Sequence, residues 1–363
     1  MKSKAVVAHA LNKLAVEEVD IDDPKAGEVL VKLGATGVCH SDLSVLNGTI
    51  PMPLPMVLGH EGAGVVEKVG AGVTNVAVGD HVVMSFVPSC GECWFCQRGE
   101  HQFCSAGTPN GMMLDGTSRV HLSGADLATM QFLGCMSQYS VVPAISVVKI
   151  DKSLPFEQAA LVGCGVMTGA GAAMKTAGVT PGSTVAVFGC GGVGLSTIQG
   201  ARIAGAGTII GVDLNEDKLA LAKEFGATHT VNASSDPVGP VREITGGIGV
   251  DYSFEVIGIP AVMAQAYAAA RRGGTVCIVG LGKITESVPM NAMLLSVEGK
   301  KTIGSFYGDA NFRVDMPMLL DLYRAGKLDL DRMITKTYKI DDALQAFTDL
   351  ESGANARGVI VYD

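Results

Sequence analysis

Apolar residues in the first 150 positions fall in short runs rather than at helical spacing. Lys4–Ala8, Leu14–Ile21 and Val29–Gly37 read as strands, separated by Pro24 and Gly27. Gly62–Gly70 and His81–Phe86 continue the pattern, punctuated by Gly72 and Gly79-Asp80. Turn residues recur too often for long helices, so the pattern predicts a compact, barrel-like β domain. Thr108–Met130 shows no periodicity and reads as a long loop. Phe132–Tyr139 reads as a return to a strand that runs on through Val142, and Pro155–Ala160 as the start of a helical crossing.

Beyond that crossing the regime changes. Val185–Phe188 is an apolar run of the kind that becomes a buried strand. It breaks into Gly189-Cys190-Gly191-Gly192-Val193-Gly194 and passes into Leu195–Ala204, which suits a helix packed on a sheet. Thr208–Asp213, Gly226–Val231, Asp251–Val256, Gly274–Gly280 and Lys301–Phe306 read as further strands, with helices at Glu216–Phe225 and Pro260–Ala270. Repeated strand–helix alternation implies a parallel, doubly wound α/β sheet. Two helices near Asp315–Arg324 and Asp341–Leu350 and a last strand, Gly358–Tyr362, are expected to rejoin the first domain. The doubly wound domain, 166–305, is then an insertion between 1–165 and 306–363.

Composition sharpens this picture. A 363-residue chain with 48% hydrophobic and 17% charged residues can fill two cores. A net charge of −9 and a pI near 5.3, with no basic stretch to offset them, argue against nucleic acid as a partner. The uncharged run Ala159–Met174 falls short of ~20 residues, and Thr176–Ala201 is broken by Pro181 and seven glycines, so no membrane span is expected. The few apolar residues between Lys4 and His9 do not make a signal peptide, and the cytoplasm is the expected compartment. There, nine cysteines are better read as thiols and metal ligands than as disulfides.

The glycine turn carries the first chemistry. Between a strand and a helix, Gly189 permits a tight turn, Gly191 lets the backbone approach a pyrophosphate, and Gly194 lets the helix pack closely. The helix N-terminus then offers unpaired N–H groups to phosphate. Asp213 closes the next strand, 19 residues after Gly194, where a carboxylate can accept hydrogen bonds from a ribose and repel a 2′-phosphate. The cofactor expected is therefore NAD rather than NADP.

Cysteine and histidine carry the second. Cys90, Cys93, Cys96 and Cys104 place four thiols within 15 residues, which suits a closed, tetrahedral structural zinc. An iron–sulfur site also begins with this spacing, but no Pro follows the fourth cysteine and seven residues precede it. Trp94, the only tryptophan, is expected to pack on this lobe. Cys39 and His60 at loop-like positions form a second candidate site. Cys164 could supply a third ligand, leaving one zinc position open for catalysis, although spacing alone does not choose it over Cys135 or Cys190.

The four-cysteine lobe, Gly59-His60-Glu61-Gly62-Ala63-Gly64 and the glycine turn together resemble the zinc-dependent medium-chain alcohol dehydrogenases over essentially the whole chain. The lobe and Asp115-Gly116-Thr117-Ser118-Arg119 are similar to the class III and liver-type branch. The resemblance implies a GroES-like catalytic domain completed by the tail, plus a Rossmann coenzyme domain. It assigns catalytic zinc to Cys39, His60 and Cys164, with Glu61 behind the metal, Asp42 orienting His60, and Ser41 taking the alcohol proton. It puts His40 and Arg357 near the pyrophosphate, Asp213 and Lys218 near the adenosine ribose, and Thr168, Val193 and Val279 on the nicotinamide. Phe86, Phe132 and Leu133 become walls of the substrate pocket. The activity implied is reversible hydride transfer between a primary or secondary alcohol and NAD, giving an aldehyde or ketone, with two zinc ions per chain. A homodimer is the expected assembly, with a tetramer as the alternative.

Two departures qualify the resemblance. The proton relay of the liver-type enzymes ends at a histidine where this chain has Ser44. The acidic and arginine anchors for a glutathione adduct are replaced by Ile50 and Thr108, which weighs against glutathione-dependent formaldehyde oxidation. A polyol or cinnamyl-type enzyme with NADP preference is opposed by Asp213. A non-catalytic NAD-binding redox sensor is opposed by the intact ligand positions and Ser41.

Overall fold

The computed structural model describes residues 1–107 and 111–363. They form two units: Met1–Cys164 with Asn311–Ala325 and Leu330–Asp363, and Gly165–Ala310 with Gly326–Asp329. The second unit thus runs past 305 to Ala310 and takes in a short piece near 326. The reason is local packing. Tyr307 is buried, and Gly308 has no side chain to hold it away from Met167 and Gly171.

Two sheets make the first unit. One runs Ala125–Asp126, Val120–Leu122, Lys13–Ile21, Lys2–Ala10, Met56–Val57, Ala128–Thr129 in spatial order. The other runs Val147–Ile150, His81–Met84, Gly62–Val69, Glu28–Val38, Arg357–Val361, Ile334–Tyr338, with Tyr139–Pro143 also pairing Glu28–Val38. Alternating Val, Leu and Met side chains of both sheets, among them Val7, Val19, Val31, Leu33, Val82 and Met84, share one apolar core. The 11-residue strand Glu28–Val38 is the centrepiece. It pairs antiparallel with Arg357–Val361, Gly358 facing Val38, so the tail is stitched into this unit next to Cys39.

Two expectations fail here, while Trp94 keeps its place on the four-cysteine lobe. The presumed loop after position 110 holds Val120–Leu122, Ala125–Asp126 and Ala128–Thr129, strands of two or three residues that are too short to show a period. Met130–Phe132 is a short 3₁₀ turn, not a strand, with Gln131 and Phe132 both at φ 50°, and the strand begins only at Tyr139. Trp94 is 63% exposed, edge-on to Phe95 at 5.0 Å and beneath the Arg98 guanidinium at 4.6 Å.

The second unit is a six-stranded, all-parallel sheet in the order His229–Asn232, Thr208–Asp213, Thr184–Phe188, Val250–Glu255, Ala270–Ile278, Lys301–Gly304. Strand order reverses direction between Thr184–Phe188 and Val250–Glu255, which opens a crevice at their carboxyl ends. The glycine turn sits at that point. Among the described residues, no helix is long and apolar enough to cross a membrane.

Candidate active site

The strand Glu28–Val38 ends at Cys39, and a helix, His40–Leu46, starts at once. Asp42, in its first turn, is fully buried and holds three donors. Its Oδ2 accepts from the Cys39 N–H (3.0 Å), and its Oδ1 accepts from the Gly59 N–H (3.1 Å) and faces His60 Nδ1 (3.2 Å). A carboxylate on Nδ1 fixes the tautomer that leaves Nε2 as a lone-pair donor. Nε2 is buried and has no hydrogen-bond partner.

Around that nitrogen stand the sulfurs of Cys39 and Cys164 and a Glu61 oxygen, all four ligand atoms lying within 4.8 Å of one another and all four residues buried. Two thiols, an imidazole and a carboxylate at this spacing fit a zinc ion. Charge is divided unevenly among these groups: the hydrogen bond to Cys39, and burial after it, push the Cys164 thiol well up. A hydrogen bond from Cys164 holds the Cys39 thiol well below its usual range, with His60 and Arg357 adding positive charge. Burial disfavours a charged His60, but Asp42 overrides it and raises the imidazole well above its usual value. The alternatives Cys135 and Cys190 lie elsewhere: Cys135 Sγ packs on Met84 Sδ, and Cys190 belongs to the glycine turn.

Glu61 does not stand alone. Arg357, at the start of the final paired strand, forms a buried ion pair with it. Arg357 was expected beside a pyrophosphate; in this structure it is 4% exposed and its Nη2 is committed to Glu61. Ser41 Oγ lies 3.8 Å from Cys39 Sγ. His40 is exposed, and Ser44 is half-buried and accepts the Ile50 N–H through its carbonyl. Phe86 stands edge-on to the His60 ring at 5.7 Å. Phe132 and Leu133, expected as pocket walls, are 1% and 0% exposed and sit in the apolar core. Ile50 packs on a second apolar cluster, and Thr108 lies outside the described residues.

The four-cysteine lobe is locally wound so that backbone N–H groups point at sulfur. Cys90 Sγ accepts from Cys93 N–H (3.3 Å), Cys93 Sγ from Cys96 N–H (3.5 Å), and Cys104 Sγ from Cys90 N–H (3.4 Å). Two of the Sγ–Sγ separations are 4.0 Å. A tetrahedron with arms of about 2.3 Å has edges of about 3.8 Å, so one metal ion fits and a multi-iron cluster does not. The N–H donors hold Cys93 down to about 5, while burial pushes Cys104 up to about 12. No disulfide links these cysteines.

In the second unit, Gly189 takes φ +102°, and a side chain there would meet Ile257 Cγ1 at 2.6 Å. A side chain at Gly194 would overlap the Gly189 carbonyl, whereas Gly191 has open space where its side chain would be. That opening and the uncapped first turn of the helix Gly192–Ile203, which includes Val193, form a cradle for phosphate. Asp213 braces the turn: Oδ2 accepts the Cys190 N–H (2.8 Å) and Oδ1 the Asn215 N–H (3.0 Å). Asn215 caps the helix Glu216–Glu224 that carries Lys218. Thr168 is half-buried on Gly165–Gly171, whose Gly169 allows close approach to Val193 and Ser196. Val279 is 8% exposed. Sequence reasoning missed Glu255, a fully buried acid beside this cradle; its only signal was an acid inside the apolar run Asp251–Val256.

A metal site lined by sulfur and imidazole in one unit and a glycine cradle for phosphate in the other are the parts of a zinc-type oxidoreductase. Residues 25–152 match the family model for the alcohol dehydrogenase GroES-like domain, and residues 192–324 that for zinc-binding dehydrogenases. An NDMA-dependent alcohol dehydrogenase from Amycolatopsis methanolica is 41% identical over 368 residues, covering 100% of this chain and 99% of that protein. Among solved structures, an alcohol dehydrogenase zinc-binding domain protein from Burkholderia ambifaria matches with a TM-score of 0.95 at 38% identity, covering 100% and 99% of the two chains. Benzyl alcohol dehydrogenase from Acinetobacter calcoaceticus matches with a TM-score of 0.94 at 34% identity over 100% of both. The chain belongs to the zinc-dependent medium-chain alcohol dehydrogenase family.

Proposed function

We propose that this protein is an alcohol dehydrogenase that interconverts a primary or secondary alcohol and its aldehyde or ketone, using NAD and two zinc ions per chain. The observation that carries the reading is the buried, unpartnered Nε2 of His60, aimed among the Cys39 and Cys164 sulfurs with Asp42 behind it. When bound there, zinc supplies Lewis-acid polarisation of the substrate oxygen, and the nicotinamide exchanges the hydride. The chain's own groups do the rest. Asp42 keeps His60 in the ligating tautomer, Arg357 neutralises Glu61, and the Ser41 hydroxyl receives the substrate proton. Cys90, Cys93, Cys96 and Cys104 would hold the second, structural zinc. Asp213 favours NAD over NADP because a 2′-phosphate would meet its carboxylate.

The name of the Amycolatopsis relative raises a second reading of the acceptor: electrons leaving to an NDMA-type oxidant instead of exchangeable NAD. A panel of primary, secondary and benzylic alcohols, assayed in parallel with NAD and with NDMA, tests both. NADH accumulation supports the first reading; turnover only with NDMA replaces it with the second; no turnover with either defeats the dehydrogenase reading.

We also infer a homodimer. The edge strand Lys301–Gly304 has one sheet neighbour, and no residue of the adjacent helix Ala292–Val297 is buried, Met293 and Val297 being 67% and 59% exposed. Analytical ultracentrifugation that returns a monomer would remove this inference.

A further inference from the structure

Glu255 ends the strand Val250–Glu255, directly opposite Phe188 on one side and Ile278 on the other. It is fully buried, yet no cation faces it among its hydrogen-bond partners. Its Oε1 accepts three consecutive backbone N–H groups: Ile257 (3.0 Å), Gly258 (2.7 Å) and Ile259 (3.4 Å). Its main-chain oxygen accepts two more, from Val279 (2.8 Å) and Gly280 (3.1 Å). One residue therefore fixes the turns that follow two neighbouring strands.

Those turns back the glycine cradle. Val256 N–H donates to the Phe188 carbonyl (3.1 Å), immediately before Gly189. The Val256 and Ile257 side chains fill the space beside Gly189, at 3.1 and 2.6 Å from where its Cβ would stand, and Val256 also lies 3.3 Å from that point on Gly194. Gly258 takes φ +94° and packs on the Leu281 backbone. Ile257, Ile259 and Leu281 are left 47%, 47% and 60% exposed at the carboxyl edge of the sheet, where this fold class binds its nucleotide.

We propose that Glu255 is a positioning residue for the nicotinamide cofactor: by tying the 256–259 and 279–280 turns together it sets the wall against which the glycine turn and Val279 present the dinucleotide. The inference rests on the functional reading above. Oε2 of Glu255 is buried without a partner, so only one oxygen of the carboxyl does this work. Burial raises the carboxyl above its usual range, against the pull of the Gly258 and Ile257 N–H groups. A glutamine keeps the accepting oxygen and the length of the side chain; an alanine removes the carboxyl's hold on the 257–259 turn and leaves only the main-chain oxygen on Val279 and Gly280.

The test uses the full chain with zinc bound and titrates NADH by fluorescence in wild type, Glu255→Gln and Glu255→Ala, with melting curves recorded without cofactor. Glu255→Gln should bind NADH within about threefold of wild type, and Glu255→Ala about tenfold or more weaker, with loss of the bound-NADH emission shift and unchanged zinc content. Should Glu255→Ala fail to fold, Glu255→Asp carries the test, since one methylene less prevents one oxygen from reaching all three N–H groups; it too should bind about tenfold more weakly. A wild type that binds NADH together with Ala or Asp variants that bind it within about twofold overturns the inference alone. So does a Gln variant as weak as Ala, which would show that an oxygen accepting the three N–H groups is not what holds the wall. A wild type that binds neither NADH nor NADPH overturns the functional reading, and this inference with it.

Discussion

Arg357 and Glu61 lie 296 residues apart in sequence and form an ion pair closed to solvent, with side-chain exposures of 5% and 0%. Gly37 makes room for it, because a side chain there would overlap Glu61 Oε2 and stand 3.0 Å from Arg357 Nη2. Removing one partner of such a pair leaves a buried charge uncompensated. Arg357→Met should therefore destabilise the first unit by about 3–5 kcal/mol. Urea unfolding followed by tryptophan fluorescence reads this directly, since the only tryptophan, Trp94, lies in that unit. An unchanged midpoint would mean that the pair contributes nothing to the fold.

His121 gives a pH-dependent counterpart. Its Nε2 lies 2.9 Å from Asp22 and its Nδ1 2.9 Å from Asp126, and the hydrogen bond to Asp22, reinforced by Asp126, raises its pKa. A raised folded-state pKa contributes stability that is fully present below the unfolded value of about 6.5 and is lost as pH climbs through the folded one. Both carboxylates are substantially exposed, so the contribution is at most about 1 kcal/mol. The stability gap between wild type and His121→Gln should be widest near pH 6 and close at alkaline pH. A gap that widens with pH would reverse the assignment.

The proposed preference for NAD rests on Asp213, whose neighbour Leu214 is exposed. Asp213→Gly with Leu214→Arg should raise kcat/KM for NADP relative to NAD by about tenfold or more, by removing a repulsive carboxylate and adding a phosphate partner. Because Asp213 also braces the Cys190 N–H, NAD affinity should fall in the same variant. A wild type that already prefers NADP contradicts the account.

Ser44 stands where the resemblance to the liver-type enzymes implies a histidine at the end of the proton relay. A histidine there would titrate near pH ~6.5 and serve as a base around neutrality, which a serine hydroxyl cannot do. With Ser41 handing its proton onward to water, Ser44→His should speed alcohol oxidation mainly on the acid side of the optimum, and Ser41→Ala should be severely impaired. Superimposable pH profiles of kcat for wild type and Ser44→His would exclude position 44 from the path.

Much of the fold was legible because its strands are short apolar runs bounded by glycine. The parallel sheet could be read from alternation alone, and Thr208–Asp213 has the same bounds in the structure. Strands of two or three residues, such as Ala125–Asp126 and Ala128–Thr129, have no period to read; only their partners across the sheet define them. Phe132 looked like a strand residue because apolar character does not report a left-handed φ. At the site, Cys39, His60 and Cys164 were chosen through resemblance, since spacing cannot bring position 164 to position 39. The Glu61–Arg357 pair was invisible for the same reason: it depends on which strand lies beside which, and the sequence pattern does not print that register. The Glu255 carboxyl bonds only to residues two to four positions on, but these lie in an irregular turn with no period to read.

On the proposed reading Cys39, His60 and Cys164 hold a catalytic zinc separate from the one held by the four-cysteine lobe. Zinc content by elemental analysis, measured together with turnover and NADH binding for wild type, Cys164→Ser and Cys93→Ser, tests it most directly. The account predicts two zinc ions per chain in wild type. Cys164→Ser should keep one, bind NADH and fail to turn over, and Cys93→Ser should lose folding stability, because a closed structural site contributes folding energy outright. A Cys164→Ser protein that retains both zinc ions with full activity, or an active wild type that carries iron or a single zinc, would contradict it.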